Sequence, residues 1–570
     1  MTERFDYVII GGGSAGCVLA ARLSEDGSAR VALVEAGPTH DHWSVSTPGV
    51  GLLNMGRSKR NWAFETVPQD GLDGRRGYQP RGKVLGGSSG TNAMIYIRGQ
   101  REDYDRWAEE YGLEGWGYGD VLPYFKRAEN FEPAGGSETE YHGVGGPLNV
   151  ARRSAAGHTS PLNERFMEAA AELQLPRTDD FNGESQEGAG YYDVTMKRGV
   201  RWSTAKAYLE DAMGRPNLEV FTGWTAERVL FEGKRAVGAR FRQIGKRGGR
   251  GTMELRADRE VILSAGAFGS PQVLLLSGVG PEGKLAPHGI EQVHELPGVG
   301  ENLHDHVDWI AAFKGPKGKG SANLSSETVG FSIGGGLKML TRELRAYRKE
   351  GTGLFSTNIA ESGGFFTVDP DSDRPDVQLH FCIALVDDHG RKLHWGHGYS
   401  CHVCVLRPHS RGSLELASAD AGDAPLIDPN FLGDERDMDT LVRGARLVQR
   451  IMAAPALDLV RGEALYGSEA ESRDELEADI RARADTVYHP VGTCRMGRDP
   501  GGDEMAVVDA RLRVFGLEGL RVVDASVMPE VVSGNTNAPT VMIAEKAADM
   551  IREDARNMTR AEGEVAVAAE

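Results

Sequence analysis

Apolar residues at Tyr7–Ile10 lead into Gly11-Gly12-Gly13-Ser14-Ala15-Gly16, and a second apolar run, Val31–Val34, ends at Glu35. Between them CVLAARLS carries apolar residues at helical spacing, so the segment is predicted to be strand, glycine turn, helix and strand. Further strands are predicted near Leu218–Thr222, Ala236–Gln243 and Glu260–Leu263, the last running through SAGAFGS into a second apolar helix. Ser160-Pro161 supplies a cap and a first-turn proline for a helix with Leu162, Phe166, Ala169 and Leu173 on one face, a core-packing pattern. From about Lys314 to Ala484 the pattern changes. DVQLHFCIAL and YSCHVCVLRP alternate with period two and predict antiparallel strands, with a helix at Leu441–Met452 among them.

After Thr486 the small-residue character returns in YHPVGTCRMG, LRVVDASVMP and GNTNAPT, and a last amphipathic helix is expected from about Thr540 to Arg552. The chain therefore divides into two interleaved units. Residues 1–155, 200–313 and 485–555 are expected to form a cofactor domain, residues 156–199 and 314–484 a substrate domain, and 556–570 a frayed tail. No fixed-period repeat occurs, which excludes a solenoid or propeller reading.

Composition narrows the partners. The 570 residues carry a net charge of −18, which argues against nucleic acid as a partner, because phosphate binding needs clustered cations. Five scattered cysteines, Cys17, Cys382, Cys401, Cys404 and Cys494, make no disulfide framework and point to a reducing compartment. The start MTERFDYVII lacks the features of a signal peptide, so a cytoplasmic protein is expected. No run of 18 apolar residues occurs, so no transmembrane segment is expected, while peripheral attachment at the inner face of the membrane stays open.

Gly11, Gly13 and Gly16 form GxGxxG between a strand and a helix, where backbone N–H groups and the helix N-terminus can hold a pyrophosphate. Glu35 ends the second strand, placed to accept from ribose hydroxyls, which favours FAD or NAD over NADP. The long polar stretch Pro68–Thr91 has the length of a loop that covers a ligand. His489 and Asn535 stand out less: a lone histidine is ordinarily a hydrogen-bonded structural residue, and Asn is common in turns and caps.

Six co-linear segments change that weighting: GGGSAGCVLAARLS, RGKVLGGSSGTNAMIYIRG, SAGAFGSPQVLLLSGVGP, GENLHDH, YHPVGTCRMG and VVDASVMPEVVSGNTNAPTVMIAEKAADMI. Together they resemble the glucose-methanol-choline (GMC) oxidoreductases, and within them choline-dehydrogenase-like and aliphatic or polyethylene glycol alcohol dehydrogenases. The resemblance implies an α/β (α+β overall) fold, with a Rossmann-like FAD-binding domain of the glutathione-reductase type and an inserted antiparallel sheet flanked by helices. It implies oxidation of a primary alcohol to the aldehyde, with a proton taken by a base and hydride passed to flavin N5. His489 is then the base and Asn535, eleven residues before Lys546, the hydrogen-bond donor to the substrate oxygen. The resemblance also assigns Ser14, Gly86, Gly87, Ser88, Asn92, Val229, Asp524 and Asn537 to the cofactor. Thr91 stands where some members carry a histidine bonded to the flavin, so non-covalent FAD is expected. The electron acceptor is expected to be quinone-like, with O2 as the alternative, and Val487 does not separate them. A non-redox lyase or decarboxylase of the same family is the other alternative, against which His489 and Asn535 count.

Other signals carry less. Cys401 and Cys404 are spaced as CxxC, but residues i and i+3 of a strand face opposite sides, so no metal is expected. Ser88 in GGSSG has nucleophile-elbow spacing without its strand-to-helix context. His304 and His306 in GENLHDH are expected to be structural or part of the flavin domain. Phe365 and Phe366 are candidates for an apolar pocket, with core packing favoured. Glu361 is a candidate partner for a quaternary ammonium, though the motif does not single out choline.

Overall fold

The computed structural model describes residues 3–568 apart from 57, 244–250, 317–323, 325–326, 331–338, 393, 468 and 500. Its first layer is a sheet whose parallel centre runs Leu218–Thr222, Val31–Glu35, Glu3–Ile10 and Thr252–Leu263. The long strand Thr252–Leu263 forks the sheet. Its first half pairs antiparallel with Arg235–Arg242, beyond which lies Thr225–Glu232, and its last three residues pair parallel with Leu520–Val522. Val8, Ile9, Leu33, Ile262 and Leu263 are fully buried, as a parallel sheet covered on both faces requires. Helix Ser14–Leu23 packs between this sheet and the closing helix.

The second layer is wholly antiparallel, in the order Ala464–Tyr466, Val307–Lys314, Gly398–Val405, Val377–Cys382, Ala360–Phe366 and Gly188–Tyr191, with Asp485–Thr486 also beside Val307–Lys314. Strand Val307–Lys314 precedes the boundary expected at 313/314 and yet sits inside this sheet, so the sheet takes its chain from about residue 307. Helix Glu435–Ala453 covers one face, seating Leu441, Ala445 and Val448 against Val377, Leu379, Tyr399, Cys401 and Val403. Gly444 lets the helix approach, because a Cβ there would stand 2.8 Å from the Val403 side chain. The alternate residues, Gln378, His380, Cys382, Ser400 and His402, necessarily face the other way.

Two element ends differ from the sequence expectation. The helix expected at Thr540–Arg552 runs from Asn537 to Ala568, and so includes most of the expected tail. The Ala, Glu and Arg content of ARNMTRAEGEVAVA favours helix over coil, which outweighs the usual fraying of a terminus. The capped helix after Ser160 is observed at Leu162–Glu172, with the Ser160 hydroxyl accepting from the Leu162 N–H at 3.2 Å.

Candidate active site

A cavity of about 700 Å³ runs from the glycine turn at Gly11 to the polar face of the antiparallel sheet, a size within the ~300–1,000 Å³ of ligand pockets. At its first end Gly13 caps helix Ser14–Leu23 without any side-chain acceptor, leaving first-turn N–H groups for an anion. Gly11 is at φ 101°, and a Cβ there would stand 2.5 Å from the Ser264 carbonyl oxygen. Glu35 accepts from the Gly12 and Gly37 N–H groups at 2.9 and 2.7 Å, and burial pushes its carboxyl up to about 7. Ser14 donates to Asn537 at 2.9 Å, tying the glycine turn to the start of the closing helix. The Ser264 hydroxyl is buried in the same wall with no partner.

The loop at 82–92 lies over this end. The Gly86 N–H donates to the Gly12 carbonyl at 2.7 Å, and a Cβ on Gly87 would stand 2.7 Å from Gly13 Cα, so two glycine segments meet backbone to backbone. Gly87, Ser88, Thr91 and Asn92 line the cavity, as does Asp524, whose carboxylate accepts from the Gly266 N–H at 2.9 Å and from the Ser270 and Ser526 hydroxyls. Gly16 and Gly86 support the turn without lining the cavity. Val229 does not line it either. Its side chain is in the core and its N–H donates to the Ser277 hydroxyl, while Trp224, Thr225 and Ala226 form the wall. At ~3.3 Å per strand residue, Val229 is ~13 Å beyond Thr225.

At the far end His489 meets Asn535, with His489 Nε2 3.0 Å from Asn535 Nδ2. Both residues line the cavity. The His489 N–H donates to Asp305 at 2.8 Å, and Thr486 donates to the other oxygen of that carboxylate. Between them Tyr488 is held at φ 76°, a left-handed conformation whose cost of ~1–3 kcal/mol is borne where it aims the next side chain. Burial first, then the nearness of the His306 and His380 imidazoles and of the Arg81 guanidinium, holds the His489 imidazole well below its ordinary value, so it is neutral at pH 7.

Hydrogen bonding then fixes which nitrogen carries the proton. The Leu406 carbonyl can only accept, so His306 Nε2, 3.0 Å away, is the donor. Burial holds His306 down to about 4, so it is neutral and its Nδ1 is an acceptor. That atom lies 3.0 Å from His489 Nδ1, which must therefore donate. His489 Nε2 is left with its lone pair facing Asn535 and the cavity. Gln378 fixes the amide in turn, donating from Nε2 to Asn535 Oδ1 at 3.1 Å and so turning Asn535 Nδ2 toward His489.

Sequence motifs alone do not place His306, Gln378 or His380 in this site. The alternation in DVQLHFC carried a signal for the last two, since Gln378 and His380 share the strand face opposite the core. His304 accepts from the Val531 N–H and is structural. Glu361 is turned away from the cavity, buried under the Ser160 N–H, Asn163 and Thr357 with Arg153 3.6 Å away, so its charge is already compensated. Phe365 and Phe366 are core residues: Phe365 packs edge-on against Phe181, and neither lines the cavity.

The N- and C-terminal domain profiles of the GMC oxidoreductases match residues 5–308 and 408–544. The chain belongs to the GMC oxidoreductase family. It is 45% identical over 553 residues to an alcohol dehydrogenase [acceptor] of Pseudomonas putida, covering 96% of this chain and 95% of that one. It is 45% identical over 561 residues to the mitochondrial choline dehydrogenase of Mus musculus, covering 96% and 90%. Among solved structures, pyridoxine 4-oxidase from Mesorbium loti superposes with a TM-score of 0.83 at 32% identity over 96% of this chain and 99% of that one. Formate oxidase from Aspergillus oryzae superposes with a TM-score of 0.86 at 26% identity over 97% and 99%. This GMC oxidoreductase is an FAD-dependent enzyme that oxidises alcohols. The glycine-walled end of the cavity, the open helix N-terminus and Glu35 fit that cofactor.

Proposed function

We propose that this enzyme is an alcohol dehydrogenase that converts a primary alcohol to its aldehyde, with His489 as the base and Asn535 as the donor to the substrate oxygen. The observation that carries the assignment is the 3.0 Å pair of His489 Nε2 and Asn535 Nδ2. One atom is a lone-pair acceptor and the other an N–H donor, which together complement one hydroxyl group. A substrate hydroxyl entering between them donates its hydrogen to His489 Nε2 and accepts from Asn535 Nδ2–H. As the proton moves to Nε2, negative charge gathers on the oxygen, and the uncharged amide stabilises it without competing for the proton. Bound FAD supplies the acceptor for the hydride that leaves the carbinol carbon. His489 Nδ1–H stays directed to His306, so the imidazolium that forms keeps a partner on each nitrogen.

The electron acceptor on this reading is quinone-like. Support comes from the relative called an alcohol dehydrogenase [acceptor], although other relatives at 42% identity are called oxygen-dependent choline dehydrogenases. Among the described residues no helix is long and apolar enough to cross a membrane, so a membrane-dissolved acceptor would be met by peripheral contact at the inner face. Anaerobic addition of primary alcohols to the yellow holoenzyme tests the chemistry: the flavin bleaches if the reading holds and stays oxidised across the panel if it does not. Admitting O2 afterwards separates slow reoxidation, expected for a dehydrogenase, from the rapid return of colour given by an oxidase.

A further inference from the structure

Beyond the catalytic pair, the cavity wall carries a second polar cluster on three neighbouring strands. Gln378, which holds Asn535, is followed two residues along the same strand face by His380. His380 stands directly across from His402, and His402 directly across from Ile310 on the next strand, with Asp308 diagonal to it. Asp308 Oδ2 and His402 Nδ1 are 2.7 Å apart. Of these, His380, His402, Ile310 and Asp308 line the cavity. Strand spacings of ~3.3 Å per residue and ~5 Å across a pair place this cluster roughly 8 Å from the residue that holds the catalytic amide.

Three atoms of the cluster make no hydrogen bond: Asp308 Oδ1, His402 Nε2 and His380 Nδ1. Asp308 is 9% exposed and His380 5%. Leaving such groups dry costs ~1–3 kcal/mol each, so they call for a polar occupant. Their charges indicate its kind. The Asp308 carboxylate holds His402 protonated, making the pair neutral overall, and burial keeps His380 uncharged. Beyond the pair stand His389 and Asp485, themselves 3.2 Å apart, and the Cys382 thiol beside His402 is at most a weak partner. A cationic head group would find no uncompensated carboxylate here, since Glu361 is consumed elsewhere. A neutral hydroxyl offers both the donor that Asp308 Oδ1 lacks and the acceptor that His402 Nε2 lacks.

We infer that Asp308, His402 and His380 form a second subsite that binds a distal hydroxyl of the substrate, making this enzyme selective for alcohols with a second hydroxyl group over plain alkanols of the same length. The inference rests on the proposed alcohol oxidation and names its substrate class. Hexane-1,6-diol and heptan-1-ol are matched in chain length and differ at the far end by hydroxyl against methyl. Anaerobic flavin reduction of the holoenzyme should favour the diol by at least about tenfold in kcat/KM, because the methyl leaves the buried polar atoms unpaired. In the double variant Asp308→Leu/His402→Phe, which removes both partners together, the preference should fall to within about twofold of unity. Equal or better use of heptan-1-ol by the wild-type enzyme overturns the subsite while leaving alcohol oxidation intact, as does a diol preference that survives in the double variant. Reduction by neither alcohol, nor by any other primary alcohol, overturns both readings.

Discussion

Replacing His306 with Leu keeps much of the side-chain bulk but removes the acceptor of the His489 Nδ1 proton and the donor to the Leu406 carbonyl. His489 is then left with a buried, unpaired N–H, at a cost of ~1–3 kcal/mol. The imidazole can escape by moving its proton to Nε2, but that nitrogen must keep its lone pair to accept from the substrate. Either outcome raises the barrier to proton removal. At ~1.36 kcal/mol per factor of ten, flavin reduction should slow by roughly 5- to 150-fold. His306→Gln separates orientation from packing, because its amide N–H can donate to Leu406 while its amide oxygen accepts from His489. Most of the rate should return in the Gln variant. Stopped-flow reduction under anaerobic conditions at saturating alcohol gives the rate, with flavin content and melting temperature measured on the same samples. The loss should appear in kcat more than in KM, because the substrate still meets Asn535. A Leu variant that reduces at wild-type speed refutes the relay. Equal slowing of the Leu and Gln variants, matched by lost flavin or lowered melting temperature, would make His306 a packing residue.

The remaining predictions follow from the same geometry. Burial lowers the His489 pKa, so its imidazole is neutral above that value and protonated below it; with His489 as the proposed base, the reduction rate should rise through a midpoint below ~6.5 and level off, and His489→Asn should erase this limb. His489→Ala should keep FAD and fold yet lose ~10²–10⁴ in reduction rate, read by stopped flow against flavin content. Asn535→Ala should slow reduction by up to ~10²-fold while keeping a single ascending limb, since the amide does not titrate. Acid precipitation should leave the yellow flavin in the supernatant, as Thr91 in place of a linking histidine requires; flavin in the pellet contradicts it.

The glycine turn, its helix and Glu35 were legible because each follows from local rules: backbone approach needs glycine, and the apolar run sets strand and helix. The forked strand Thr252–Leu263 was seen only at its apolar end, Glu260–Leu263. Its first half, TMELRADR, is polar and half exposed, and takes its structure from pairing with Arg235–Arg242. Strand Val307–Lys314 was missed as part of the second sheet because VDWIAAFK gives its hydrophobicity but not its neighbour, and register with Gly398–Val405 is a long-range property. The last helix ran past its expected end because helix propensity, averaged over the tail, outweighs the usual fraying of a terminus.

At the site, single residues were legible and their coupling was not. His489 and Asn535 stand out by motif, but the proton position on His489 depends on a carbonyl 83 positions earlier in the chain, relayed through a histidine from a third segment. Period-two alternation was read as strand, and rightly, yet it also sorts residues by face. In VQLHFC the apolar set Val377, Leu379 and Phe381 goes to the helix, so Gln378 and His380 must go to the other side. In YSCHVC the same logic sends Ser400 and His402 there. A half-buried strand usually turns its polar face to water, and Gln378 and Ser400 are nonetheless fully buried. Polar residues on a strand face that never reaches bulk solvent need a reason to be retained, since an apolar replacement would avoid the desolvation cost. Two such strands side by side, each presenting a histidine at the paired position, therefore mark the floor of a ligand cavity before any cavity is seen.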